Sequence, residues 1–208
     1  NWGRLAPQIA YYVSAYCDMV KSGAVEMCGK INICVPTGNF GNILAAYIAK
    51  QMGLPVNKLI CASNRNNVLT DFFKKGGSYD KNRDFYTTTS PSMDILISSN
   101  LERLLFFASD YDDKLVADLM DQLAKGGSYQ VAADVFAKIE ADFDAGCCDD
   151  SAAAQTIKKL WENEHYLCDT HTAVAVRVYE EYRARTGDTT PAVIASTASP
   201  FKFCRSVI

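Results

Sequence analysis

The stretch Val35-Pro36-Thr37-Gly38-Asn39-Phe40-Gly41-Asn42 constrains this chain more than any other. Ahead of it, Ile31-Asn32-Ile33-Cys34-Val35 is a short, largely apolar, β-branched run that predicts a buried strand. Behind it, Ile43, Leu44, Tyr47, Ile48 and Met52 recur at helical spacing as far as Gly53, a natural helix stop. The eight residues are therefore a strand-to-helix turn carrying two glycines. Lys58-Leu59-Ile60-Cys61-Ala62 then supplies a second apolar strand after Pro55. Strand, helix and strand within about thirty residues make a βαβ unit, which calls for a parallel sheet with a right-handed crossover.

Such a turn suits an anion. Glycines let the backbone approach closely and adopt positive φ, while the free N–H groups of the helix start converge on a phosphate. Physics alone offers three occupants: a dinucleotide pyrophosphate, a nucleoside triphosphate, or the single phosphate of pyridoxal phosphate (PLP). The dinucleotide fingerprint G-x-G-x-x-G is not met, because Gly38 and Gly41 stand alone. The triphosphate loop needs a lysine after its second glycine, and Asn42 stands there. The compact Gly38-Asn39-Phe40-Gly41 loop suits one monophosphate. In open parallel sheets a ligand lies beyond the carboxyl ends of the strands. A second such end is Ser196-Thr197, after the short apolar strand Pro191-Ala192-Val193-Ile194-Ala195. A cradle and a hydroxyl on one edge can hold the two ends of a PLP ring, with Thr197 meeting the pyridine nitrogen. On spacing alone, Thr197 is equally a strand-end residue capping the next turn of chain.

The remaining elements read as mostly helical. Leu5, Ile9, Tyr12, Val13, Tyr16 and Val20 mark an amphipathic helix to about Ser22-Gly23, with Pro7 tolerated in its first turn. Asn66 or Asn67 caps a helix ending at Lys75-Gly76-Gly77, and residues 78–91 read as a polar loop or surface insertion open to disorder. Leu101, Leu104, Leu105 and Ala108 form one helix face after Ser99 or Asn100, and Asp112 to Lys125 is another helix. Lys-Gly-Gly-Ser-Tyr occurs at 75–79 and again at 125–129, read here as helix punctuation used twice. A helix comes next from Val131 to Phe143, then a loop at Gly146-Cys147-Cys148-Asp149-Asp150. Helices capped by Asp150 or Ser151 and by Asp169-Thr170 lead to Gly187. The expectation is one α/β domain over residues 1–208, helix-rich in its C-terminal half.

Composition narrows the function classes. Of 208 residues, 49% are hydrophobic and 22% charged, enough for one sizeable core, and a net charge of -3 leaves no footprint for nucleic acid or an anionic membrane. No apolar run approaches a membrane span, so a cytoplasmic protein is expected. Of eight cysteines, Cys17, Cys34 and Cys61 sit among apolar residues as small core hydrophobes. The adjacent Cys147 and Cys148 suit no shared disulfide, and no C-x-x-C pair points to zinc or redox chemistry. The chain starts at Asn1 without an initiator methionine and stops at Ile208 soon after an apparent strand, which we read as a piece of a longer protein.

The octapeptide resembles the P-T-G-N-F-G-N loop of threonine synthase, which holds the PLP phosphate. Four further stretches resemble that family in order along the chain. They are Asn1-Trp2-Gly3-Arg4 (N-W-x-R), Ser90 to Ile95 with Ser98 to Leu104 (S-P-S-M-D-I and S-S-N-x-E-R-L), Asp169 to Val174 (D-P-H-T-A-V), and Ser196 to Phe203 (S-T-A-H-P-A-K-F). The resemblance implies a three-layer αβα fold with a mostly parallel sheet, of the tryptophan-synthase β-subunit-like class. It implies that Gly38, Asn39, Phe40, Gly41 and Asn42 bind the cofactor phosphate, that Thr197 meets the ring nitrogen, and that Arg4 contacts the phosphate of the substrate O-phospho-L-homoserine. Arg4 is physically apt, since its fork pairs with phosphate oxygens. Thr170 and Ser199 depart from the family, standing where proline and histidine are common.

One residue type is missing. A PLP enzyme needs a lysine to bind the aldehyde covalently, and in this family it lies well before the phosphate loop, between phenylalanine and aspartate. No lysine here has that context, and Lys202, between Phe201 and Phe203, lies at the wrong end of the chain. His171 beside Asp169 reads as a structural histidine ahead of a site residue, and Glu102 as a solvated carboxylate ahead of a general base. The chain is thus expected to cradle the cofactor without completing the reaction alone.

Overall fold

The computed structural model describes residues 2–207. Asn1, the first residue of the family-like opening segment, lies outside them, as does Ile208. In chain order the elements are α1 (Trp2–Lys21), β1 (Ile31–Pro36), α2 (Gly41–Gln51), β2 (Val56–Ser63), α3 (Val68–Lys74) and β3 (Ser78–Asp80). Then come α4 (Leu101–Ala108), α5 (Asp113–Gly126), β4 (Ser128–Gln130), α6 (Ala133–Asp142) and β5 (Phe143–Cys147). The last are α7 (Asp150–Glu164), α8 (Thr170–Thr186), β6 (Ala192–Ile194) and α9 (Cys204–Val207), with 3-10 turns at Pro91–Met93 and Pro200–Phe203.

The main sheet has strand order β5-β2-β1-β6, every pair parallel. Strand residues alternate between its faces, and the burial alternates with them. Ile31, Ile33 and Val35 of β1, with Leu59 and Cys61 of β2, pack into a core shared with α1, α2 and α3. Cys34, Ile60 and Ala62 face the other way, into a core shared with α7 and α8. Two cores on opposite faces of one parallel sheet give the three-layer αβα arrangement expected from the sequence. The βαβ unit 31–63 is also as read, and helices dominate from residue 101 onward.

The order of strands fixes where the sheet leaves a crevice. From β1 the chain leaves through α2, on the first face, to β2, and β6 adds on the opposite side of β1. After β6 the chain turns to the second face, where Val207 packs. Adjacent parallel strands whose continuations part to opposite faces leave a crevice at their carboxyl ends. That crevice lies between the loop after β1 and the residues after β6.

Several expectations are corrected. Residues 143–147 are not helix end and loop but a strand, β5, pairing with β2 from Leu59↔Phe143 to Ser63↔Cys147. The two Lys-Gly-Gly-Ser-Tyr copies do end helices, yet they also find each other. Gly77 and Gly127 take φ of 85° and 81°, which turns each chain into a short strand. β3 and β4 then pair antiparallel with Tyr79 opposite Tyr129, rings 5.1 Å apart and 7° from parallel. The stretch after β3 is pinned rather than loose: Asp94 accepts from Asn64 Nδ2 (2.7 Å), Asn66 Nδ2 (2.9 Å) and the Thr88 N–H (3.0 Å). Cys17 is exposed, whereas Cys34 and Cys61 are buried as read, and all eight thiols are free. The cap of α7 is Asp149, one residue earlier than expected.

Candidate functional site

The turn after β1 begins with Thr37, buried, its N–H on the Ala62 carbonyl at 2.8 Å and its hydroxyl on that of Val35 at 2.7 Å. α2 then starts from Phe40, which is left-handed at φ 62°, ψ 2°. A non-glycine residue there costs roughly 1–3 kcal/mol. The ring offsets it: Phe40 is 1% exposed and packs 5.9 Å from Phe143 and 6.3 Å from Phe73. Burying such a side chain contributes roughly 1.5–3 kcal/mol.

The glycines do something other than expected, since neither Gly38 nor Gly41 has positive φ. Gly38 is required by proximity: a Cβ there would lie 2.6 Å from the Ser92 carbonyl oxygen. At Gly41 a Cβ would meet nothing closer than Asn100 Nδ2 at 3.7 Å, so this glycine keeps open the cleft it lines. The side chain of Phe40 is in the core, so only its backbone is left at this turn.

The loop carbonyls are engaged and its amides are not. The Gly38 oxygen accepts from Ser98 Oγ (2.9 Å), and the Asn39 oxygen from Asn100 N (3.2 Å) and Nδ2 (2.7 Å). Backbone N–H groups 38 to 42 donate to no protein acceptor among the described residues; the first bond of α2 is Leu44 N–H to Phe40 O. With their carbonyls held from one side, these donors collect at the positive end of a helix, where an anion is favoured.

The segment that grips the carbonyls is itself anchored. Tyr79 OH donates to Leu96 O (3.0 Å) and accepts from the Ser98 N–H (2.8 Å), so the hairpin of the two repeats braces the loop. On the other side the Ser92 N–H donates to His171 Nε2 (3.2 Å), whose Nδ1 faces Asp169 at 3.0 Å. His171 is 2% exposed with both ring nitrogens partnered, which is the structural role read for it. Desolvation pushes the Asp169 carboxyl up, but hydrogen bonds from His171 and Thr172 outweigh this and hold it below its ordinary value. Glu102 is exposed. Lys202 is also exposed and lies over its neighbour Phe203, 5.4 Å from the ring centre.

Two clefts meet at this turn. One, of about 500 Å³, is lined by Asn42, Thr197, Ser196, Tyr11, Tyr12 and Gln8. The other, of about 420 Å³, is lined by Arg4, Asn39, Gly41, Ser99, Asn100 and Arg103, and Gln8 borders both. Asn42 therefore shares a cleft with Thr197, and Arg4 shares one with Asn39 and Gly41. Arg103, the arginine of the S-S-N-x-E-R-L stretch, draws no site role from the sequence, where it sits beside an acidic residue. Its position in the first turn of α4, three residues after Asn100, is the signal that places it there. Among the described residues no group of three His, Cys, Asp or Glu side chains is placed to hold a metal ion.

Comparison with known proteins points the same way. The family model described as threonine synthase, C-terminal, matches residues 172–208. The threonine synthase of Saccharomyces cerevisiae is 38% identical over an alignment covering the whole chain. The solved PLP-bound threonine synthase from Brucella melitensis superposes with a TM-score of 0.90 at 40% identity, again covering all of it. The chain is homologous to threonine synthase throughout its length. It spans 42% of the yeast relative and 42% of the Brucella chain. A protein named threonine synthase-like 1 from Homo sapiens is 42% identical, and the chain spans 28% of it. A threonine deaminase structure with a TM-score of 0.59 at 11% identity shares the fold alone.

The threonine synthase-like stretches can now be read physically. Ser98 and Asn100 of the second stretch hold the carbonyls of the turn, while Leu101 and Leu104 are buried beneath them. Asp169 of the third caps α8, accepting from the N–H groups of His171 and Thr172. Thr170, in place of proline, donates its hydroxyl to the Thr89 carbonyl at 2.8 Å, so this departure adds a tie. Ser199, in place of histidine, is exposed and precedes the 3-10 turn whose Phe203 packs on His171 at 4.9 Å.

Proposed function

We propose that this chain is the PLP-phosphate-binding portion of a longer two-domain threonine synthase, which converts O-phospho-L-homoserine and water to L-threonine and phosphate. The observation that carries this reading is the row of unengaged amides at 38 to 42, on the same sheet edge as Thr197. It suits a cofactor with a phosphate at one end and a ring nitrogen at the other. Residues Gly38, Asn39, Phe40, Gly41 and Asn42 would hold that phosphate, Phe40 through its backbone alone, and Thr197 would take the ring nitrogen. When bound, PLP supplies an electron sink for deprotonation beside the substrate amine.

The chain's own residues do the positioning. Arg4 and Arg103 present two guanidinium forks to the second cleft, beside Ser99 and Asn100. Forks of this kind bind a phosphate ester in two-point fashion and orient it as a leaving group. Gln8, on the border of both clefts, can contact a ligand that bridges them. No lysine lines either cleft among the described residues. This supports placing the covalent attachment in a segment outside this chain, which would pack against the cleft wall beside the exposed Tyr11 of α1. A cytoplasmic location belongs to the same reading; among the described residues, no helix is long and apolar enough to cross a membrane.

A second reading is a threonine synthase-like protein that binds PLP or phospho-ligands without synthase activity. The 42% identity to threonine synthase-like 1 favours it over other enzymes of the fold. One experiment tests the cradle common to both: titration of the full chain with pyridoxal phosphate and with unphosphorylated pyridoxal. The phosphorylated form should bind at least about tenfold tighter, and equal binding would overturn the reading. Turnover of O-phospho-L-homoserine by the whole protein then separates synthase from binder.

A further inference from the structure

Tyr12 lies one turn after Gln8 on α1, and its side chain is 4% exposed. Its hydroxyl donates to Asn42 Oδ1, its one partner among the described residues. Burial, and secondarily the nearby Cys34, push this phenol well above the ordinary tyrosine range, so it stays a neutral donor. A buried O–H that lacks an acceptor carries its full desolvation penalty. The oxygen of the Asn42 amide, not its nitrogen, faces Tyr12. An amide with its oxygen committed has both N–H donors left for the other side. Asn42 lines the cleft it shares with Thr197 and with Tyr12 itself.

We propose that Tyr12 is a positioning residue: it locks the Asn42 carboxamide so that its nitrogen donates to the anionic ligand held by amides 38 to 42. The proposal rests on the phosphate-cradle reading and adds a side-chain donor whose orientation is set by Tyr12, itself on the wall of the same cleft. Without the phenol the amide is free to rotate and present its oxygen to an anion, which repels it. α1 then does two things for one site, carrying Arg4 into one cleft and fixing Asn42 for the other.

The test is calorimetric titration of the full chain with inorganic phosphate and with pyridoxal phosphate, alongside thermal melts. Tyr12→Phe should bind both roughly tenfold more weakly, with the melting midpoint moved by no more than about 2 °C. Asn42→Asp keeps an acceptor for Tyr12 but loses the donor, and should weaken binding at least as much. In an Asn42→Ala background, Tyr12→Phe should cause no further loss, because its route of action is gone. Wild-type affinity in Tyr12→Phe, or the same loss with Asn42 already removed, would overturn the proposal while leaving the cradle standing. A wild-type chain that binds neither ligand would bring down the cradle and the proposal with it.

Discussion

The two ends of β1 treat polar groups in opposite ways. At the amino end, Asp188 accepts from Asn32 Nδ2 (2.8 Å), Asn57 Nδ2 (3.3 Å), Tyr182 OH (2.7 Å) and the Thr190 N–H (2.8 Å). Asn32, wholly buried, turns its own oxygen to Asn57 and to the Lys58 N–H. Each of these donors has an acceptor within the protein. At the carboxyl end the carbonyls are held and the amides are left over. A satisfied network locks strands β1 and β2 to the end of α8, whereas an unsatisfied row of donors is a place for something to bind. A closed polar network and a row of unengaged donors thus occupy opposite edges of one sheet.

The contrast can be broken from either end. The largest effect is expected for Gly38→Ala, whose methyl would meet the Ser92 oxygen at 2.6 Å. The loop must move, so phosphate binding should fall by about 100-fold or more, and stability by roughly 1–3 kcal/mol. Titration calorimetry and urea melts would measure the two effects. Near-normal affinity would mean that the loop geometry is not what selects the anion. Asp188→Ala should do the reverse, lowering unfolding free energy by about 2–3 kcal/mol with phosphate affinity unchanged; a loss of affinity would show that the two edges are coupled.

Acid should strike the amino end as well. Desolvation raises the Asp188 carboxyl, but the hydrogen bonds from Thr190, Tyr182 and Asn32 outweigh it and hold the group far below its ordinary value. A carboxyl depressed in the folded state adds stability that is complete above its unfolded pKa of about 3.9 and is lost as pH falls through the folded value. Denaturant midpoints should therefore drop below about pH 4, and Asp188→Asn should flatten that slope. Arg103→Ala and Arg4→Ala are each expected to weaken O-phospho-L-homoserine binding about tenfold while leaving pyridoxal phosphate nearly untouched. Thr197→Val should have the smallest effect, a few-fold loss of pyridoxal phosphate affinity with phosphate affinity unchanged.

How far the sequence reveals this molecule depends on how local each signal is. β1, α2 and β2 are legible because β-branched runs and a 3.6-residue period are local, and Asp169 announces its helix as an acidic cap must. β5 escapes notice because Phe143-Asp144-Ala145-Gly146-Cys147 is short, lacks any β-branched residue and carries an aspartate and a glycine. Its Asp144 becomes tolerable only beside Lys74 (3.0 Å) and Arg185 (2.7 Å), which arrive from distant helices. The Tyr79–Tyr129 pairing joins residues fifty apart, and no local pattern distinguishes it from two separate helix ends. The turn itself is where the sequence puts it, but its glycines serve another purpose. The left-handed position goes to Phe40, whose aromatic character signals a core residue and conceals its backbone.

Phe40 has a consequence of its own. One residue lends its ring to the interior and its peptide to the rim, so aromatic packing behind the sheet edge and donor alignment in front share a lever. Loosening Phe73 or Phe143 would shift the row of donors from the inside, through residues that line neither cleft.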